Sequence, residues 1–229
     1  MGEEAWRVVQ SGSPSLDILR HGTLPGQEAL AATTGFDTSR AYAVVATHPV
    51  TLMKDTTAEA DALFEALESI GMPVAFAFPN ADAGSRALIT RVREFCTAHS
   101  DSKVFTNLNQ AHYFALLENA AVMLGNSSSG VMETASFALP TVNIGDRQAG
   151  RLKPQNVIEC EANAQAIRSA LAHALSEPFR ASLEGMANPY GDGRAGERIA
   201  QALGQAPDRD TLLRKAPPGE AETGRPEAV

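Results

Sequence analysis

From residue 41 to residue 175 short apolar runs alternate with longer stretches of helical periodicity. No other feature restricts the fold as strongly. The run at 41–47 (Ala-Tyr-Ala-Val-Val-Ala-Thr) is continuous, the pattern of a strand buried on both faces. Residues 55–70 follow with apolar side chains at Ala58, Ala62, Leu63, Leu67 and Ile70, which is helical spacing, and Gly71 supplies a stop. Further strands are expected at 73–78, Lys103–Thr106, 121–124, Thr141–Ile144 and 156–159. Further helices are expected at 85–98, Gln110–Asn119, 129–137 and 163–175. This order implies βαβ units, so the fold class is α/β, a parallel sheet with helices on both faces. In such sheets ligands sit beyond the carboxyl ends of the strands, so the loops after Thr47, Phe78, Thr106, Leu124 and Ile144 should share one rim.

The chain has 229 residues, enough for one domain with a sizeable core and too few for two large ones. Nineteen Lys and Arg against 27 Asp and Glu give a net charge of -8, so a general basic footprint for nucleic acid or an anionic membrane is absent. An anionic ligand would be held by local backbone donors and single Arg or His side chains. Two distant cysteines, Cys96 and Cys160, make neither a disulfide framework nor a four-ligand zinc site, which fits a reducing, cytoplasmic setting. His21, His99, His112 and His173 have no metal-ligand spacing, and neither a metal nor a cofactor is expected. No apolar run approaches the roughly 20 residues of a membrane helix, and the acidic N-terminus lacks a signal-peptide core. The strand-like run 6–9, followed by Ser-Gly-Ser-Pro at 11–14, reads as the end of a preceding domain. Residues 21–40 read as a linker with one short helix near 27–33, residues 194–203 as a helix, and 206–229 as a disordered tail.

The richest segment is Gly-Asn-Ser-Ser-Ser-Gly-Val-Met-Glu at 125–133, between an apolar strand and a helix. Its small residues permit a tight turn and close approach of a ligand. Ser127, Ser128, Ser129 and Gly130 offer hydroxyl and N–H groups at a helix start, which suits phosphate. An ordinary N-capping serine is the competing reading. Glu133, one helical turn in, suits a pair of ribose hydroxyls or simply complements the helix dipole. His48, with Pro49 after it, is placed at the rim either to act on a phosphate oxygen or proton or to bond the backbone. Arg147, in Gly-Asp-Arg-Gln-Ala-Gly-Arg at 145–151, suits bidentate phosphate contact or a salt bridge with Asp146. Asn80 suits a sugar or phosphate, Asp82 a helix cap, and the 108–114 segment a flat base against Tyr113 or Phe114. The polar turn at 188–193 precedes the last helix.

Taken in order, His-Pro-Val-Thr at 48–51, Pro-Asn-Ala-Asp-Ala-Gly-Ser at 79–85, the 125–133 segment, the 143–151 loop and the 188–193 turn resemble one family. It is the UDP-N-acetylglucosamine 2-epimerases, and the Ser-Ser-Ser-Gly and Gly-Asp-Arg-Gln-x-Gly-Arg forms resemble the hydrolysing branch of sialic-acid and related sugar biosynthesis. The resemblance implies two Rossmann-like domains arranged as in B-type glycosyltransferases. This chain corresponds to the C-terminal, UDP-binding one. Residues 1–20 then correspond to the last strand of a missing N-terminal domain and the crossover, and 41–205 to the UDP-binding domain. By resemblance, His48 is the catalytic residue near the leaving phosphate. Ser127 and Ser128 match pyrophosphate-binding serines, and Ser129 and Gly130 are counted with them as UDP-binding residues. Glu133 binds the ribose, Arg147 the nucleotide diphosphate, Asn80 the UDP moiety, and Leu108 the uracil through its backbone. The implied reaction eliminates UDP from UDP-N-acetylglucosamine and hydrates the glucal to N-acetylmannosamine. The acid–base carboxylates belong to the missing N-terminal half, so the chain alone is expected to bind UDP-sugar without turnover. A stand-alone UDP-sugar binding module and a UDP-sugar glycosyltransferase-related domain are the alternatives. A homo-oligomer is the expected assembly, with no nucleic acid or membrane partner.

Overall fold

Six short strands form one parallel sheet: β1 (Ala43–Ala46), β2 (Val74–Phe78), β3 (Lys103–Thr106), β4 (Val122–Gly125), β5 (Thr141–Ile144) and β6 (Val157–Cys160). Their order is β3-β2-β1-β4-β5-β6, and every pairing is parallel. The computed structural model describes residues 3–48, 58–78 and 86–214. In chain order the helices are α1 (Ile18–His21), α2 (Gln27–Thr34), α3 (Ala58–Leu67), α4 (Arg86–Ala98), α5 (Gln110–Asn119), α6 (Ser129–Met132), α7 (Ala164–Ala174), α8 (Glu177–Ser182), α9 (Ala195–Gly204) and α10 (Arg209–Leu213).

The central strands β1, β4 and β5 are buried at every position, as their unbroken apolar runs require, while the edge strands β3 and β6 are partly exposed. Alternate residues serve opposite faces. Val45, Phe76, Leu124 and Val142 pack with Leu63 and Phe64 of α3, Val92 and Phe95 of α4, and Ile167 and Leu171 of α7. On the other face α6 lies so close that a Cβ on Gly130 would stand 3.0 Å from Thr141 Cγ2 and 3.6 Å from Met123 Cε. α5 buries Phe114 to Leu117. The Tyr42 hydroxyl donates to the Leu116 carbonyl at 2.8 Å, and the Phe36 ring meets Tyr42 edge-on. Helices on both faces of a parallel, Rossmann-ordered sheet are what the sequence periodicity predicts.

The chain divides into two compact units, His21–Tyr190, which carries the sheet, and Met1–Arg20 with Gly191–Val229. In the smaller unit the Asp17 carboxylate accepts from the N–H groups of Ala195 and Gly196, at 2.9 and 2.6 Å, and so caps α9. Asp192 and Arg198 form a two-bond pair at 2.7 and 2.9 Å.

Four local expectations change. Residues 6–9 are not a strand, because no described strand pairs with them. A 3-10 turn at Ala5–Arg7 forms instead, with Arg7 donating to the carbonyls of Thr211, Leu212 and Arg214. Within 206–229, Arg209–Leu213 is helical and capped by Asp208, which accepts from the Thr211 N–H at 3.0 Å; residues 215–229 lie outside the described residues. The helix expected at 129–137 breaks at Glu133 into α6 and a 3-10 turn, Thr134–Phe137. Thr134 Oγ1 donates to the Gly130 carbonyl at 2.8 Å, a back-bond that distorts helices. The apolar periodicity gives no helix at 177–182, where α8 forms with Ser176 as its N-cap and Pro178 in its first turn.

Candidate functional site

The strand order reverses between β1 and β4, so the connections leaving these neighbours run to opposite sides and open a crevice at their carboxyl ends. Gly125 ends β4 beside Ala46, the last residue of β1. Its φ is +133°, and a Cβ there would lie 2.1 Å from the Ala46 carbonyl oxygen. Only glycine permits this turn.

Asn126 follows, only 1% exposed. Its Oδ1 accepts from the His48 N–H at 2.8 Å, and its Nδ2 donates to the His48 carbonyl at 2.9 Å. The residue after β4 thus holds the backbone of the residue at the rim of β1. Its own carbonyl accepts from Arg147 Nη1 at 2.9 Å and from Gln148 Nε2 at 2.8 Å. Three loops that are distant in sequence therefore meet at one residue.

Arg147 makes no ion pair with Asp146 or with any other described carboxylate, which removes that alternative among the described residues. Its guanidinium is anchored by a neutral carbonyl and keeps its charge and remaining donors. His48 is half-buried.

Ser127 and Ser129 are nearly buried, and Ser128 is more open. The Ser127 hydroxyl accepts from the Ser129 N–H at 3.3 Å in a local serine turn, while Ser128, the N-cap residue of α6, makes no side-chain cap bond. The Gly130 N–H is committed to the Ser127 carbonyl at 3.1 Å, and its α-carbon faces Thr141. Close packing against the sheet accounts for this glycine. The Ser129 hydroxyl accepts from the Tyr113 hydroxyl at 2.8 Å, which ties α5 to the same turn. Burial pushes the Tyr113 phenol well above its usual range. The Ser129 bond opposes that shift, and the charge of Glu133 adds to it. Glu133 ends α6, half-buried, and its carboxylate has no hydrogen-bond or ion-pair partner among the described residues. Beside it, Asn188 Nδ2 donates to the Met132 carbonyl at 2.8 Å, which seats the 188–190 turn on the end of α6.

Leu108 is half-buried in the loop after β3, just before Asn109 caps α5 by accepting from the His112 N–H at 2.9 Å. The Asn107 N–H donates to the Phe78 carbonyl at 3.3 Å, joining this loop to the end of β2. Asn80, Pro49 and Asp82 lie outside the described residues. Sequence reasoning gave no role to Asn126 or Gln148. The signal available for the first is an asparagine set directly between an apolar strand and the serine run.

The gathered groups can bind an anion. The serine hydroxyls, the N–H groups at 127 and 128 and the Arg147 fork offer donors, with His48 as a donor or proton carrier. Among the described residues no three His, Cys, Asp or Glu side chains gather as metal ligands. Burial holds both thiols high, Cys160 at about 11, which does not suit nucleophilic chemistry at neutral pH.

A family profile described as UDP-N-acetylglucosamine 2-epimerase matches residues 1–204. A Legionella pneumophila protein named UDP-N,N'-diacetylbacillosamine 2-epimerase (hydrolyzing) is 31% identical over 216 residues, covering 94% of this chain and 56% of the relative. A Campylobacter jejuni GDP/UDP-N,N'-diacetylbacillosamine 2-epimerase (hydrolyzing) is 33% identical over 166 residues, covering 71% and 43%. The chain thus spans about half the length of the curated relatives it matches. Among solved structures, Methanocaldococcus jannaschii UDP-GlcNAc 2-epimerase in complex with UDP-GlcNAc and UDP superposes with a TM-score of 0.69. It is 16% identical and covers 90% of this chain and 57% of that one, so the likeness is one of fold.

Proposed function

The chain belongs to the UDP-N-acetylglucosamine 2-epimerase family, and on that footing we propose that it is the nucleotide-binding half of a hydrolysing UDP-sugar 2-epimerase. The observation that carries this reading is the junction at Asn126, where the loops of His48, the serine turn and Arg147 are hydrogen-bonded together at the switch point of the sheet. In the proposed site Ser127, Ser128 and Ser129 hold the diphosphate with Arg147 as its counter-charge. Glu133 takes the ribose, the Leu108 backbone the uracil, and His48 stands at the leaving phosphate; Asn80, outside the described residues, is read as a further UDP contact. Gly130 supports the turn.

The proposed reaction starts with removal of the C2 proton by a base. The C1–O bond breaks, UDP leaves and a glucal forms. Water then adds its oxygen to C1, and a proton returns to C2 on the opposite face, giving N-acetylmannosamine from UDP-N-acetylglucosamine. A dispersed positive field over the departing diphosphate lowers the first barrier. Arg147 supplies that field from this chain and His48 a hydrogen-bond donor, while the base and the hydrating acid come from carboxylates of an N-terminal half. Two observations support a second domain. The matches cover only 56% and 43% of the two bacillosamine-named relatives, and the smaller unit exposes Val8, Val9, Leu203, Leu212 and Leu213. The two bacillosamine-named relatives favour testing a diacetamido sugar beside UDP-N-acetylglucosamine.

Calorimetric titration with UDP, followed by incubation with each UDP-sugar alone and with a supplied N-terminal half, tests the reading. UDP binding by the chain is expected, with UDP and the epimerised free sugar released only in the combined reaction and without an acceptor. Dependence on a sugar acceptor favours the glycosyltransferase reading. UDP-sugar binding with no turnover in either mixture favours a binding module.

A further inference from the structure

We propose that Asn126 is a positioning residue that makes His48 and Arg147 respond to the bound diphosphate as one unit. The inference rests on the UDP-sugar reading above. The His48 peptide presents an N–H and a carbonyl to the same side chain, at 2.8 and 2.9 Å. A carboxamide satisfies both, being donor and acceptor at once. A carboxylate offers two acceptors and leaves the His48 carbonyl unpaired, and an aliphatic side chain satisfies neither. At 1% exposure no bulk water competes for these bonds, so the loss is not made good by solvent.

The other end of the residue is equally committed. Its carbonyl accepts from Arg147 Nη1 and Gln148 Nε2, two donors for an oxygen with two lone pairs. Gln148 is 2% exposed, and its Oε1 has no partner among the described residues, so the bond to Asn126 is the described contact that holds this side chain. Arg147 is aimed by a neutral group and keeps its full charge for an anion. None of these bonds belongs to the sheet ladder. They join loop to loop, which is the pattern of a device that sets side-chain geometry while the strands hold the fold. Electrostatic help to a leaving group depends steeply on such placement.

The test uses the full chain with 13C-labelled histidine, the His48 resonance being identified by its absence in His48→Asn. In the unsubstituted chain, UDP is expected to move the His48 resonance. In Asn126→Ala, UDP should bind within about threefold of normal while the His48 response falls by about half or more, because uniform binding and positioning are separable. Asn126→Asp, which keeps the acceptor and loses the donor, should fall between them and guards against misfolding of the alanine variant. A His48 response unchanged in both variants overturns the proposal. So does a parallel loss of affinity and response in Asn126→Asp, which marks a merely structural role. Absence of UDP binding by the unsubstituted chain defeats the functional reading instead. The clamp is then judged by hydrogen exchange at the His48 amide. Exchange at least about tenfold faster in the variants supports it, and unchanged exchange overturns it.

Discussion

A methyl group on Gly125 would stand 2.1 Å from the Ala46 carbonyl oxygen, on backbone whose φ of +133° already disfavours any side chain. Neither neighbour can yield without parting β1 from β4, so Gly125→Ala is expected to cost about 3 kcal/mol or more, measured as a fall in urea midpoint. At the proposed site, His48→Ala should lower UDP release from a UDP-sugar far more than it lowers UDP affinity, as kinetics of the reconstituted pair would measure. Equal losses would remove His48 from the elimination step. Glu133→Gln should weaken UDP binding with the fold intact, since the half-buried carboxylate has no described partner to lose; calorimetry and circular dichroism check the two halves of that statement. At this scale sequence reading located chemistry-bearing side chains such as His48, Glu133 and Arg147, whose types announce what they do. It could not locate Asn126 and Gln148 as a junction. Their partners lie 78 and 22 residues away, and only the folded loops bring them together.

Among the elements, α9 depends on a cap supplied from 178 residues earlier in the chain. Asp17→Ala is expected to cost about 1 kcal/mol, read as a lowered thermal midpoint of the unit that contains it. Arg198 also shapes this unit. Its side-chain hydrogen bonds hold the Asp192 carboxyl at about 2, below its usual range. The folded value is the lower one, so the pair's contribution is present above the ordinary carboxylate pKa, about 4, and disappears as pH falls toward about 2. The stability difference between the unsubstituted chain and Asp192→Asn should therefore shrink over that interval in chemical denaturation curves. Periodicity placed the sheet strands and helices to within a few residues because buried apolar runs and amphipathic stretches have different repeats. It failed where a tertiary partner decided the outcome. Residues 6–9 have strand character but no described strand to pair with, and the Thr134 back-bond divides what reads as one helix.

For the whole molecule, the length that suggests a self-sufficient domain covers about half of the matched relatives. The order of motifs carried the family, whereas division of labour between two halves is a question for reconstitution. The strand order has a further consequence, for the chain during its own synthesis. On the ribosome β1, β2 and β3 emerge first, and if they pair as they do in the fold, β1 keeps its inner edge bare through one more helix, α5, until β4 arrives. An apolar strand with an unpaired edge is a template for association with other nascent chains. Chains truncated at Asn119 are expected to pellet after in vitro translation or be retained by chaperones, and extension through Ile144 should release them into the supernatant. The crevice that the switch point opens for a ligand is, some seconds of synthesis earlier, an unpaired edge of the growing polypeptide.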